Sequence, residues 1–274
     1  MAATVFYRAV LQALLEADVP CLIGGAYALA RYTRIDRRTK DLDLMIERRR
    51  WPAAVHALRS RGISTRLSFP HWLGKAIASG AQVDIIFSSG NGLCDVDEAW
   101  FRHAEPARVL GFDVRLAPPE ELIWSKAFVM ERERFDGADV LHLIRAMGRA
   151  LSWPRLCARF AGHEAVLAAH LVLFAYVYPG SIDVVPHGLV DTLLARAADA
   201  RAPADWCRGT FLSRAQYLTD VTAGGLIDPR QRPDGPLTLL EIDRWTNAID
   251  TYAARRPVHD PQLPLRRSRR RAIA

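Results

Sequence analysis

The stretch from Cys21 to Ile46 constrains this chain more than any other. An apolar run, Cys21-Leu-Ile23, ends in the pair Gly24-Gly25, and a mostly apolar segment, Ala26 to Tyr32, follows. Thr39-Lys-Asp-Leu-Asp-Leu-Met-Ile46 then alternates acidic and apolar residues. Side chains two apart on a strand share a face, so Asp41 and Asp43 stand side by side while Leu42, Leu44 and Ile46 face the other way. Two unit charges about 4 Å apart at an effective dielectric of about 20 repel by roughly 4 kcal/mol. A fold keeps such a pair when a shared proton or a cation sits between the charges, and a metal ion is the usual cation.

The rest of the composition narrows the class only a little. The chain has 274 residues, 50% of them hydrophobic and 24% charged, enough to bury a core in one large or two modest domains. A net charge of +7 suggests a nucleic-acid partner until it is located: Arg266, Arg267, Arg269, Arg270 and Arg271 against Asp260 carry +4 of it, leaving +3 for the first 257 residues. Cys21, Cys94, Cys157 and Cys207 form no CxxC pair or zinc-like cluster and read as free thiols of a reducing compartment. Met1 to Phe6 lacks the pattern of a signal peptide, and the most apolar stretch, Ala165 to Tyr178, is broken by His170 and too short for a membrane span. The expectation is a cytoplasmic protein with no membrane association.

Apolar spacing predicts a helix over residues 4–17, a strand at Cys21–Ile23, a turn at Gly24-Gly25 and a helix over Ala26–Tyr32. A strand follows at Asp41–Ile46, then a helix from Trp51 to Arg61 stopped by Gly62. Trp72–Ala78 and Ala81–Phe87 read as a hairpin turning at Ser79-Gly80, and Arg108–Leu110 with Phe112–Leu116 as another. From Pro118-Pro119-Glu-Glu onward the pattern is helical: Pro118 to Arg134, Ala138 to Met147, Pro154 to Phe160, Glu164 to Tyr178, Gly188 to Ala200, Thr210 to Thr222 and Leu237 to Ala253. Gly224 to Pro236 reads as an exposed loop. The expected organisation is an α/β core over residues 1–116 with a small mixed sheet flanked by helices, a helical region over 117–257 and a basic, disordered tail over 258–274.

The chemistry concentrates in the first part. Glycines opening a helix let a phosphate approach the backbone, where free N–H groups favour anions. Carboxylates at i and i+2 on the next strand suit Mg²⁺, which takes a few carboxylate oxygens together with phosphates and water. Asp84, facing away from Val83, Ile85 and Phe87, offers a third acid on a neighbouring strand. Together they describe a phosphoryl or nucleotidyl transfer site. His71, His103, His142 and His170 have no metal-like spacing, and Trp72, Trp100 and Trp124 read as core or interface.

Gly24-Gly25-Ala-Tyr-Ala followed by Arg37-Arg-Thr39-Lys-Asp41-Leu-Asp43-Leu resembles the signature of the polymerase β-type nucleotidyltransferase superfamily. It is most similar to the small bacterial branches, among them aminoglycoside nucleotidyltransferases and the minimal and AbiEii-like types of toxin–antitoxin systems. The resemblance spans residues 1 to about 90. It implies Mg²⁺ or Mn²⁺ held by Asp41, Asp43 and Asp84, with Asp84 also activating an acceptor hydroxyl. It further implies an NTP, ATP first among them, held at Gly24 and Gly25, and Arg37 and Thr39 steadying the turn or the phosphates. Gly25 stands where many members carry Ser. Lys126 and Asp139 resemble the lysine and following acid of the AbiEii-like branch.

Each feature also has a plainer meaning. A Gly-Gly pair marks any tight turn, Asp-x-Asp can be a solvated strand, Lys126 can snorkel from the middle of an amphipathic helix, and Asp139 can cap the helix after Gly137. Two functional classes follow: an enzyme moving NMP from NTP to a hydroxyl with release of pyrophosphate, and a catalytically silent scaffold acting as an antitoxin-like protein partner or nucleotide sensor. The acceptor is open among a small molecule, a protein side chain and an RNA end. The arginine tail offers a further, salt-sensitive contact to nucleic acid.

Overall fold

The computed structural model describes residues 3–36, 39 and 41–248. Helix α1 (Ala3–Glu16) turns Phe6, Tyr7, Val10, Leu11 and Leu14 into the core. It is followed by β1 (Leu22–Ile23), α2 (Gly25–Thr33), β2 (Asp41–Met45), α3 (Trp51–Arg59), β3 (Ser64–Phe69), β4 (Leu73–Ala78) and β5 (Ala81–Ile86). Then come α4 (Glu98–Arg102), β6 (Glu105–Val109) and β7 (Phe112–Leu116). The seven strands form one mixed sheet in the order β3-β4-β5-β2-β1-β7-β6, with β2∥β5 and β1∥β7 parallel and the other pairs antiparallel. The expected mixed sheet flanked by helices is found.

Leu42, Leu44, Val83 and Ile85 are fully buried on one face of the central strands, which leaves the intervening acids on the other. Strand β3 is not anticipated by the sequence pattern. It is a partly exposed edge strand, Ser-Thr-Arg-Leu-Ser-Phe, whose alternation is limited to Leu67 and Phe69 and is too short to announce it.

After β7 every regular element is helical: α5 (Pro119–Ala127), α6 (Gly137–Met147), α7 (Trp153–Arg159), α8 (Glu164–Val177), α9 (Leu189–Asp199), α10 (Leu218–Thr222) and α11 (Leu239–Thr246). Three segments differ from expectation. The helix expected over Pro118–Arg134 ends at Ala127, because Glu131 is captured by Ser213 Oγ and the Arg214 N–H, and Arg134 folds onto Asp136. The helix expected over Thr210–Thr222 survives only as a short 3₁₀ turn, Arg208–Phe211, and α10, since those same contacts pin Ser213 and Arg214 between them. The 224–236 segment is not simply exposed: Asp228 and Arg230 are buried and paired with each other, with Thr210 donating to Asp228. The C-terminal part of the last expected helix and the arginine tail lie outside the described residues.

Buried charge ties the helices to the sheet. Glu121 is fully buried between Arg155 and Arg159, and Arg159 also binds Asp97 before α4 and lies over the Trp124 ring. The four cysteines are free, and no described helix is long and apolar enough to cross a membrane. Removing one partner of a buried ion pair leaves an uncompensated charge, so Glu121→Ala is expected to lower stability by about 3–5 kcal/mol in urea denaturation. A change under about 1 kcal/mol would show that Arg155 and Arg159 are held by other contacts.

Candidate active site

Parallel pairing of β2 and β5 sets Asp43 directly opposite Asp84 and Asp41 opposite Gln82. Register partners share a face, so Asp41, Asp43 and Asp84 project from the same side of the sheet. Pairing of β1 with β2 brings Gly24 beside Asp43: Ile23 is opposite Leu44, and the Gly24 N–H donates to the Asp43 carbonyl at 2.9 Å. Helix α2 therefore starts against the acids. Gly24 has no side chain to cap it, which leaves first-turn N–H groups for an anion.

The second glycine has a specific reason. Gly25 has φ +51, and a Cβ placed on it would lie 1.6 Å from Oδ2 of Asp43. A serine at this position would be strained by the backbone and would have to displace the Asp43 carboxylate, so glycine suits this packing.

The electrostatics follow from the crowding. Burial first, then the charges of Asp41 and Asp84, push the Asp43 carboxyl up to about 7, against the pull of Lys126 and Arg134. Burial also raises Asp84, opposed by the charge and hydrogen bond of Lys75. Thr39 lies at Asp41, its hydroxyl 2.8 Å from the Asp41 carbonyl and 3.1 Å from its carboxylate. Arg37 lies outside the described residues.

Lys126 does not stand mid-helix, as the sequence suggests, but is the penultimate residue of α5. It donates to Asp136 at 2.9 Å and to Asp139 at 2.8 Å. Asp139 sits inside the first turn of α6, where it binds Lys126, and the N-cap position is Asp136. Burial opposes ionisation of Asp136, yet Arg134 and Lys126 draw its carboxyl down to about 2.

Three residues at the site are absent from the sequence-based candidates. Lys75 donates to Asp84 at 2.6 Å, with side-chain exposures of 14% and 15%. Its signal is available in the sequence: a two-residue turn at Ser79-Gly80 places position 75 opposite position 84, as observed. Arg134, expected at the end of a helix, acts on Asp43 from the α5–α6 connection. Tyr7, indistinguishable from core in an apolar helix, is raised by burial and then by the charges of Tyr27 and all three acids.

The donor set fits a divalent cation: hard carboxylate oxygens, mutually repelling, on one sheet face beside an uncapped helix start. Among the described residues no three Asp, Glu, His or Cys side chains form a ready-made cage. His71 and His170 are buried and hydrogen-bonded to the carbonyls of Gly90 and Ala127, as expected of packed imidazoles.

Part of the chain matches a known family in sequence. Residues 7–89 match the aminoglycoside-2''-adenylyltransferase family, a stretch that runs from Tyr7 through the glycine pair to beyond Asp84. No curated protein matches the chain in sequence. Among solved structures, the antibiotic-resistance factor ANT(2'')-Ia in solution is 17% identical, covering 72% of this chain and 93% of its own, with a TM-score of 0.39. ANT(2'')-Ia in complex with adenylyl-2''-tobramycin is 19% identical, covering 65% and 99%, with a TM-score of 0.37. The lincosamide antibiotic adenylyltransferase LnuA, lincomycin-bound, is 13% identical, covering 52% and 96%, with a TM-score of 0.37.

The raised Asp43 carboxyl carries a sign for stability. Its value of about 7 lies above the ordinary 3.8, so the protonated form favours the fold; that contribution is full below about pH 4 and is lost as pH rises through about 7. Each pH unit between those two values is worth about 1.4 kcal/mol. In EDTA at about pH 8, Asp43→Asn is expected to be more stable than the parent by at least about 1 kcal/mol, with the difference vanishing near pH 4. Urea denaturation at the two pH values checks this, and equal stability at the higher one would contradict it.

Proposed function

We propose that this protein transfers AMP from ATP to a hydroxyl of a small-molecule acceptor of the aminoglycoside class. The observation that carries the reading is the Asp43–Asp84 register beside the uncapped start of α2, within the stretch that matches an adenylyltransferase family. The acceptor class is taken from that match.

Asp41 and Asp43 are the acids that would hold Mg²⁺ or Mn²⁺, which when bound would neutralise phosphate charge and polarise the α-phosphate; Asp84 lies opposite Asp43. The N–H groups opening α2 hold the triphosphate, and Gly24 and Gly25 let it approach the backbone. Thr39 fixes Asp41 through its hydroxyl. Asp84 accepts the proton of the acceptor hydroxyl; the acceptor oxygen bonds to the α-phosphorus as the bond to the bridging oxygen breaks and pyrophosphate leaves. Lys126 and Arg134, whose charges reach Asp43, offset the negative charge that develops there.

The test is pyrophosphate release from each of the four NTPs with Mg²⁺ and a panel of aminoglycosides, with mass spectrometry of the acceptor. ATP with at least one aminoglycoside is expected to give a product heavier by one AMP. Asp41→Ala and Asp43→Ala are expected to lower the rate by about 100-fold or more without loss of the folded state by circular dichroism. Nucleotide binding with no turnover on any acceptor would favour the silent scaffold instead.

A further inference from the structure

The third acid has a partner that the nucleotidyltransferase reading does not require. Strand β4 lies between β3 and β5, and in register across the sheet stand Arg66, Lys75, Asp84 and Asp43, one per strand from β3 to β2. This row runs from two cations to two anions along a single face. Lys75 Nζ sits 2.6 Å from Oδ1 of Asp84, at a place where its side chain is only 14% exposed.

A lysine so placed is not a passing surface contact. Its backbone is fixed by two flanking strands, and leaving Asp84 would expose two charges at a partly desolvated position. The ammonium on Oδ1 already neutralises the Asp84 carboxylate, and a divalent ion drawn to the same carboxylate would meet its repulsion. Asp43 and Asp84 are register neighbours, and it is Asp84 that Lys75 engages.

We infer that Lys75 takes the place of a second divalent ion at Asp84. The site then holds a single metal, on Asp41 and Asp43, which enters with the nucleotide. Lys75 is a positioning residue: it neutralises Asp84 and directs the carboxylate's second oxygen, Oδ2, toward the acceptor hydroxyl. The inference rests on the nucleotidyltransferase reading and specifies how many ions that site takes.

The experiment counts metal by electron paramagnetic resonance titration of Mn²⁺ into the full-length protein saturated with α,β-methylene-ATP, which cannot be cleaved at the α-phosphate. One Mn²⁺ per chain is expected for the parent. Asp84→Asn is expected to keep that count at one, since Asp84 is not a ligand, while Asp43→Asn loses the ion. Lys75→Gln, which removes the charge and keeps most of the bulk, is expected to admit a second Mn²⁺, and Lys75→Arg to restore the count of one. Two ions in the parent, a count that drops in Asp84→Asn, or an unchanged count in folded Lys75→Gln would each overturn the inference. If Lys75→Gln does not fold, the parent and Asp84→Asn counts decide by themselves. No Mn²⁺ and no analogue bound by the parent would sink the nucleotidyltransferase reading instead, an outcome distinct from a count of two.

Discussion

The pairing of β2 with β5 is the constraint on which the rest of the site depends. It sets Asp43 opposite Asp84 with Asp41 two residues away, a concentration of like charge that burial makes worse. The register cannot relax, because a one-residue slip would carry the acids into the layer occupied by Leu42, Leu44, Val83 and Ile85 and bring those side chains out. The repulsion is instead met by cations from two directions. Lys75 comes from the β4–β5 hairpin, and Lys126 and Arg134 come from the end of α5 and its connection to α6.

That second source makes the helical half part of the electrostatics of the sheet. Had α5 continued to Arg134, Lys126 would point from the middle of a long helix and Asp136 and Asp139 could not fold back onto it. The helix stops at Ala127 because Glu131 finds better partners in Ser213 and Arg214 than in a helical turn. The resulting cluster of Lys126, Arg134, Asp136 and Asp139 spaces two cations and two acids so that a net field still reaches Asp43.

Local pattern makes most of the sheet-bearing half legible. Alternation in Asp41-Leu-Asp-Leu and Gln82-Val-Asp-Ile reports one buried face, and glycine pairs report turns, so β2, β5 and the start of α2 can be read directly. Strand β3 cannot, because an edge strand with polar residues on both faces is stabilised by its neighbour rather than by its own burial. Lys75 is legible through hairpin register alone, which requires counting across the turn instead of along the chain. Arg134 and Tyr7 are not: their positions depend on Glu131 meeting Ser213 and on α1 packing over β5, contacts between residues far apart in sequence. The 210–236 segment is opaque for the same reason, since Thr210, Asp228 and Arg230 satisfy one another in a way that neither periodicity nor composition records.

Gly25 links the two parts of the proposed site. Its missing side chain is the space that Oδ2 of Asp43 fills, so the acid already lies against the start of α2, where a triphosphate would bind. An unneutralised phosphate and an ionised Asp43 would then share one volume, repelling each other by roughly 4 kcal/mol per charge pair at about 4 Å. On the proposed reading, therefore, neither the anion site nor the acid pair is complete alone. A cation that arrives with the nucleotide removes the repulsion among the acids and the repulsion between acid and phosphate together. On that reading the raised carboxyl of Asp43 belongs to the metal-free state, and a positive charge set beside it would draw it back down.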